Sequence, residues 1–392
     1  MDSKRLLMML HEEIQASQGE RRHIILFQSD RDYRQVTELI RLHKDTHSSL
    51  SSVYDLKLIR GISCPIRNRA ELIKHPAVLS IEEDASINIQ LRPRKTVKTS
   101  EIVEKTSEGS QFIPWGVQQI KAPDVWKKAK GSRVTIGVID TGIDYYHPDL
   151  QASVARGINL LNRNQPPYDD NGHGTHIAGT IAAAGRIGIV GVAPKAIIHA
   201  VKAFDMNGSA FVSDIVAGID WCVRNGLDII NMSFGMKTYS RALEEAVINA
   251  YQSGTIVVAS SGNDGKGAAI DYPARFPSVF SVGATTKVNK VAPFSNRGKR
   301  IDIFAPGESI YSCWLHGKYN ELSGTSMATA HVSGVIALML SVRPSLRPQQ
   351  IKQILRRSAT PLTRAKQPEG TDAPGLIHAR RAVTALLKTN QT

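Results

Sequence analysis

Three side chains in this 392-residue chain are of the types that nucleophilic catalysis combines: a carboxylate at Asp140, an imidazole at His173 and a hydroxyl at Ser326. Asp140 ends the apolar run Val134–Asp140 and is followed by Thr141-Gly142, so the carboxylate stands where a strand enters a tight turn. Taken alone, it could equally serve to cap that turn. The Asp-Thr-Gly tripeptide also occurs in enzymes that share a proton between two such carboxylates. No second Asp-Thr-Gly or Asp-Ser-Gly exists here. His173 lies between two glycines in Asp170-Asn-Gly-His-Gly-Thr-His176, where little side-chain bulk blocks approach to the ring. His176, three residues on, raises the idea of a metal pair. No His-Glu-x-x-His pattern or third ligand accompanies it, so no metal is expected. His176 is expected to be packed in the apolar helix Gly174–Ala184. Ser326 precedes the apolar helix Ala328–Val342. A serine there ordinarily caps the helix, yet the helix's positive end also favours developing negative charge.

A serine hydroxyl is a weak nucleophile at neutral pH unless an imidazole takes its proton. The imidazole in turn needs a carboxylate to fix its tautomer and stabilise its charged form. Asp140, His173 and Ser326 supply these parts. Asn263, in Ser261-Gly-Asn-Asp-Gly265, adds a side-chain amide after the apolar run Thr255–Ser260. Asn-Asp-Gly is good turn chemistry. As a donor to an oxyanion, the same amide would contribute ~2.7–4 kcal/mol in the transition state.

Groups so far apart in sequence need a rigid frame. Val134–Asp140, Ile197–Phe204, Asp228–Ser233 and Thr255–Ser260 are short, strand-like apolar runs. Between them Val212–Asn225 and Arg241–Gln252 have helical spacing and end at Gly226 and Gly254, good C-caps. This alternation predicts an α/β fold with a mostly parallel sheet covered on both faces. Ligands bind beyond the carboxyl ends of such strands, where Asp140 and Asn263 fall. Ahead of this region the residues 91–110 are polar, charged and without periodicity, and read as an exposed linker. Before the linker, Arg22–Gln28, Val53–Ile62 and Ala77–Gln90 are strand-like, with room for a further strand near Gly61–Ile66. Gln35–Lys44 and Arg69–His75 have helical spacing. Together they predict a small two-layer α+β unit.

Composition excludes other classes. The chain is 42% hydrophobic and 21% charged, an ordinary globular balance. Three cysteines, Cys64, Cys222 and Cys313, are too few for a disulfide framework. No uninterrupted run of 18 apolar residues is present, so no membrane span is expected. The amino terminus lacks the core and cleavage site of an export signal. The net charge of +14 is concentrated late, with ten basic and two acidic residues in 343–392. No nucleic-acid-binding motif accompanies it, and it is expected to be solvated surface.

Val138-Ile-Asp-Thr-Gly-Ile-Asp144, Asn171-Gly-His-Gly-Thr-His-Ile-Ala-Gly179 and Gly324-Thr-Ser-Met-Ala328 resemble the three signature motifs of subtilisin-like serine proteases, in the family's order of Asp, His, Ser. The resemblance spans about residues 110–385 and includes Gly191-Val-Ala-Pro194, Asn231-Met-Ser-Phe-Gly235 and Phe304-Ala-Pro-Gly307. It implies a three-layer α/β catalytic domain at 111–392 and serine endopeptidase activity. Asp140, His173 and Ser326 would be the triad, and Asn263 with the Ser326 amide the oxyanion hole. Gly208, Ser209, Ala210, Ser233, Phe234 and Gly235 would flank an extended peptide, and Ser260, Ser261 and Gly262 would form the other wall of the primary specificity pocket. A broad, apolar-leaning specificity is expected, with no acidic base identified. The runner-up reading is an inactive peptide-binding homologue.

Some positions depart from the family pattern. Ala330 stands before His331 where proline is usual, and Met236 replaces a common glycine beside the pocket. Gln111 and Asp149 match side-chain ligands of the family's main calcium site, but the loop Ala184–Gly188 is short and carries Arg186. Calcium needs oxygen ligands, so that site is expected to be disrupted, other structural calcium positions staying open. No cofactor is expected for catalysis. The front unit at 21–90 resembles the family's inhibitor-like propeptide, of ferredoxin-like form, behind an N-terminal extension at 1–20. Self-cleavage is expected between Gln90 and Gln111. Partners are then protein substrates and the chain's own propeptide, with no nucleic acid or membrane, and a monomer is expected. As written the sequence reads as cytoplasmic, or secreted if its true start lies upstream. Cys222 is expected in the core, and Cys313 is open between core and reactive roles.

Overall fold

Seven short runs of β-branched and aliphatic residues build the central sheet. In order across it they are Ile303–Pro306, Phe280–Thr285, Ile256–Ser260, Ile229–Met232, Thr135–Asp140, Ile197–Lys202 and Val154–Asn159. Every neighbouring pair is parallel. Ile229–Met232 and Ile256–Ser260 are buried at every position, which is why their sequences run apolar instead of alternating. From the central strand Thr135–Asp140 the chain first builds one side of the sheet, then crosses to Ile229–Met232 and builds the other. The strand order therefore reverses between these two neighbours, and the crevice beyond their carboxyl ends is the expected ligand site.

The computed structural model describes residues 2–17, 21–89, 93–97, 111–362 and 374–388. They form two compact units, Met1–Ser86 with Phe211–Trp221 and Ser240–Asn249, and a larger one made of the remainder. In the larger unit, the helix Thr325–Val342 packs on the strands Ile229–Met232, Ile256–Ser260, Phe280–Thr285 and Ile303–Pro306. The helix His173–Ala182 packs on it and on Thr135–Asp140. Ile136 and Val138 face this layer as part of the main core. Gly137, pointing the other way, meets Cys222 and Leu227. These are the three layers expected of the fold.

Thr325–Val342 starts three residues earlier than its apolar run suggests, and all of Thr325–Leu340 is buried. Its N-cap is Gly324, so Ser326 stands inside the first turn and is not a cap. By length and composition this helix could cross a membrane, contrary to the expectation from the sequence. Thr325, Ser326, Thr329, His331 and Ser333 interrupt its apolar run, and all of it but its last two residues is buried within the protein.

Part of the expected linker is a strand. Pro93–Val97 pairs antiparallel with Lys318–Leu322, extending the hairpin formed with Ile310–Trp314. Backbone pairing at an open sheet edge needs no alternation of side chains, so periodicity did not reveal it. The remainder of 91–110, with the expected processing region, lies outside the described residues.

The smaller unit holds a four-stranded antiparallel sheet in the order Tyr54–Leu56, Gly61–Pro65, Arg22–Phe27, Val78–Glu83. The helix Asp30–His43 begins at Ser29, whose hydroxyl accepts from the Asp32 amide. Residues 1–20, expected as a mere extension, contain the helix Asp2–Ala16. Its Leu6, Leu7, Leu10 and Ile14 share one core with Phe27, Val36 and Ile40. The helix expected at Arg69–His75 reduces to a single turn, Leu72–Lys74. Glu82 and Asp84, leaving the last strand, take the amides at the starts of two helices of the same unit: Glu82 those of Arg241 and Ala242, Asp84 that of Ser213.

Candidate active site

Asp140 is the last residue of the central strand, and His173 the first of the helix that packs on it. The imidazole Nδ1 lies 2.7 Å from one carboxylate oxygen of Asp140 and 3.0 Å from the other. Both residues are buried. The Thr141 amide donates to the same Asp140 oxygen at 2.8 Å. With Nδ1 donating to Asp140, the neutral ring keeps its lone pair on Nε2.

Two glycines allow this approach. Gly172, the helix N-cap, has φ of 107°, which a side chain would strain. A Cβ at Gly174 would collide with the Gly142 carbonyl oxygen and lie 3.2 Å from the Asp140 Cβ. The glycines around His173 therefore seat the helix on the Asp-Thr-Gly turn more than they open the ring to substrate.

A residue that sequence reading passed over ties the two motifs together. The buried carboxylate of Asp169 accepts from Thr141 Oγ1, the amides of Asn171, Gly172 and Thr175, and Thr175 Oγ1. Thr141 Oγ1 in turn accepts from the Gly174 amide. The consecutive acids Asp169-Asp170 just before the histidine motif were the available signal.

Ser326 Oγ donates to the Ser233 carbonyl at 2.8 Å, and Ser233 Oγ donates back to the Ser326 carbonyl at 3.2 Å. Among the described residues no hydrogen bond joins Ser326 to His173. Ser233 is fixed by Asn231, whose amide donates to its hydroxyl and accepts from Ser333. Asn263 follows the strand Ile256–Ser260, and its Oδ1 accepts from the Thr325 amide at 2.9 Å and from Thr325 Oγ1 at 3.0 Å. This fixes the side-chain amide with Oδ1 as its accepting end and Nδ2 as its donor end. Thr325, adjacent to Ser326 in the motif, is a second positioning residue not singled out from the sequence.

One of the segments expected to flank a peptide, Gly208–Ser209, is bonded to residues 88 and 89 of this chain. The Ile89 amide donates to the Gly208 carbonyl at 2.8 Å, and Ser209 Oγ donates to Asn88 Oδ1. On the other side, Ser260 Oγ donates to the Phe234 carbonyl at 3.2 Å, linking the two expected pocket walls. No acidic group was identified here from sequence, and the fold brings one to these segments. Asp271 stands against both walls, its Oδ2 lying 3.1 Å from where a Cβ on Gly235 would be, and closer still for Gly262. It is ten residues beyond Ser261 in sequence, so spacing gave no hint of it.

His176 is fully buried, its Nε2 against the carbonyls of Ile310 and Asn320, and burial pushes its pKa down to about 3. It is a neutral packed histidine, as expected. His147, Asp149 and Cys313 cluster closely enough for a metal, but the polar atoms of His147 and Asp149 are committed. His147 Nε2 donates to the Lys318 carbonyl and Nδ1 accepts from the Asp149 amide. Asp149 accepts from the amides of Ile187, Gly188 and Ile189 and from Tyr319. Gln111 turns its NH2 toward the Gly185 carbonyl. Amide donors thus occupy the oxygens a calcium ion would need, and these residues do not fit one. Cys64, Cys222 and Cys313 are all buried and unbridged. Burial raises the thiol pKa of Cys64 to about 12 and that of Cys313 well above its usual value, so neither is poised to react.

The sequence model of the subtilase family matches residues 131–374. Subtilisin E of Bacillus subtilis is 39% identical over 323 residues, covering 81% of this chain and 84% of that relative. Subtilisin of Bacillus pumilus is 44% identical over 257 residues, 64% of this chain and 93% of that relative. An alkaline protease of Shouchella clausii is 40% identical over 289 residues, covering 73% and 70%. With this coverage, and with the parallel sheet and three motifs in place, the chain belongs to the subtilase family and is a serine-type endopeptidase.

Proposed function

We propose that Asp140, His173 and Ser326 form the catalytic triad, and that the chain cleaves protein substrates through an acyl-enzyme on Ser326. The buried Asp140–His173 contact carries this reading, because it presets the imidazole as a base. Substrate takes the Ser233 carbonyl as a strand partner and frees Ser326 Oγ to turn toward Nε2. As Oγ attacks the scissile carbonyl, His173 takes its proton and Asp140 stabilises the imidazolium. Asn263 Nδ2 and the Ser326 amide receive the oxyanion. The imidazolium then protonates the leaving amine, and a water deprotonated by the same ring hydrolyses the ester.

The segment 21–90 acts in this reading as an intramolecular inhibitor of a zymogen. Two observations support it: Asn88 and Ile89 bond to Ser209 and Gly208 as a substrate strand would, and the match to subtilisin E covers more of the chain than residues 111–392 could supply. Self-cleavage falls between Gln90 and Gln111. No cofactor takes part in the chemistry, and Asp149 holds no calcium.

A fluorophosphonate probe tests the triad. Wild-type protein should be labelled on Ser326 and the Ser326→Ala variant should stay unlabelled and full-length. An unlabelled wild type would reject the triad in favour of an inactive peptide-binding homologue. Complete processing of purified Ser326→Ala would reject self-cleavage alone.

A further inference from the structure

The position of Asp271 has a chemical consequence for what the enzyme cuts. Its backbone is held by both walls of the expected specificity pocket. The Asp271 amide donates to the Ser261 carbonyl at 3.0 Å, and the next residue, Tyr272, exchanges two backbone hydrogen bonds with Met236, each 2.8 Å. The side chain lies against the two glycines of those walls. A Cβ on Gly235 would be 2.7 Å from the Asp271 Cβ, and one on Gly262 would clash with its carboxylate. Glycine on both sides makes room for the carboxylate against Gly235 and Gly262, with Asn296 Nδ2 also beside Gly262.

That carboxylate is half-buried and, among the described residues, makes no hydrogen bond or ion pair. The charged groups near it are engaged elsewhere. Lys237 pairs with Asp264 at 3.3 Å. The Arg275 guanidinium lies over the Tyr272 ring and donates to the Ile270 carbonyl at 2.7 Å. An acidic group at the side of a cleft, with no cation of its own, is a natural receiver for one brought by a ligand. A lysine or arginine side chain suits such a slot, burying its methylene stem along the walls while its charged end reaches the acid.

We propose that Asp271 sets the primary specificity, receiving the cationic end of a lysine or arginine in the residue that precedes the scissile bond. This rests on the reading of the two segments as pocket walls beside Ser326, and it replaces the apolar-leaning specificity expected from sequence. The segment 91–110 itself offers Arg92, Arg94, Lys95, Lys98 and Lys105 as cleavage points. Burial and the neighbouring Asp264 raise the Asp271 pKa to about 6, against the lowering influence of Lys237 and Arg275. The preference for a basic residue should therefore strengthen as pH rises through about 6.

The test uses processed enzyme whose active sites have been counted by fluorophosphonate labelling. Peptide substrates differ only in the residue before the cut: Lys, Arg, Leu or Phe. Wild type should favour Lys and Arg over Leu in kcat/KM by roughly tenfold to a hundredfold at pH 8, the worth of a charge-assisted contact. The ratio should collapse in Asp271→Asn and be largely kept in Asp271→Glu. Labelled wild type that cleaves Leu or Phe substrates as well as Lys would overturn the proposal and leave the triad standing. So would an Asp271→Asn variant with an unchanged ratio. A wild type that takes no label would remove both.

Discussion

Thr325 can govern the chemistry proposed for Asn263 without meeting the substrate itself. In the proposed mechanism Asn263 donates its NH2 to the oxyanion, while Thr325 holds its Oδ1 through both a backbone and a hydroxyl donor. Asn263→Ala should lower kcat roughly 10²- to 10³-fold with KM little changed, since the bond forms only as charge develops. Thr325→Val keeps the backbone donor and loses Oγ1, so its loss in kcat should be smaller than that of Asn263→Ala. Steady-state kinetics on one peptide substrate distinguishes these; a Thr325→Val enzyme as slow as Asn263→Ala would mean the hydroxyl alone sets the amide. The ranking also marks what sequence can reveal. Asp140, His173, Ser326 and Asn263 could be picked out as candidates because each sits in a local motif with its own glycines or turn residues. Thr325, Asp169 and Asp271 act across the fold, and their partners are brought near only by the sheet.

At the level of elements, the site depends on how closely one helix sits on one turn. His173–Ala182 is buried along its whole length, and its first turn meets the carbonyl of Gly142 where Gly174 has no side chain. Gly174→Ala has to push the helix off the turn, because the opposing atom is backbone and cannot rotate away. Overpacking of this kind costs about 1–3 kcal/mol, and here it also separates His173 from Asp140. The variant should lose at least tenfold in kcat/KM and unfold at lower urea concentration than wild type, measured for stability in the Ser326→Ala background. Normal activity in a destabilised Gly174→Ala would show that the helix shifts without moving the imidazole. The parallel strands were readable as short apolar runs and the amphipathic helices from their periodicity. Pro93–Val97 and Asp2–Ala16 were not placed, because an edge strand is held by backbone bonds and the helix by a core it shares with distant strands.

For the molecule as a whole, the charge of +14 and the buried titratable groups act on different things. Lys352 pairs with Asp302 at 2.8 Å and Arg380 with Asp124 at 3.6 Å, while Arg356 and Arg357 are exposed, so the late basic excess bears mainly on solubility. Stability against pH is set by groups that burial has moved. His331 is fully buried, with Nδ1 donating to the Met327 carbonyl, and its pKa is pushed down to about 4. Unfolded histidine titrates near 6.5. Between those values the unfolded chain binds a proton that the folded one refuses, so His331 costs stability as pH falls from about 6.5 toward 4. His176 acts in the same direction. Asp214 and Asp271, raised to about 6, act in the opposite one, since the folded form holds their protons longer. A net profile would mix these effects, so a difference is the better measurement. His331→Asn keeps a donor near the Nδ1 position and removes the titration. In the Ser326→Ala background, urea unfolding from pH 6.5 to 4.5 should show the His331→Asn variant gaining on its parent by roughly 1 kcal/mol per pH unit as pH falls. Parallel stability curves over that range would show that His331 is protonated in the folded protein and that its burial carries no penalty in acid.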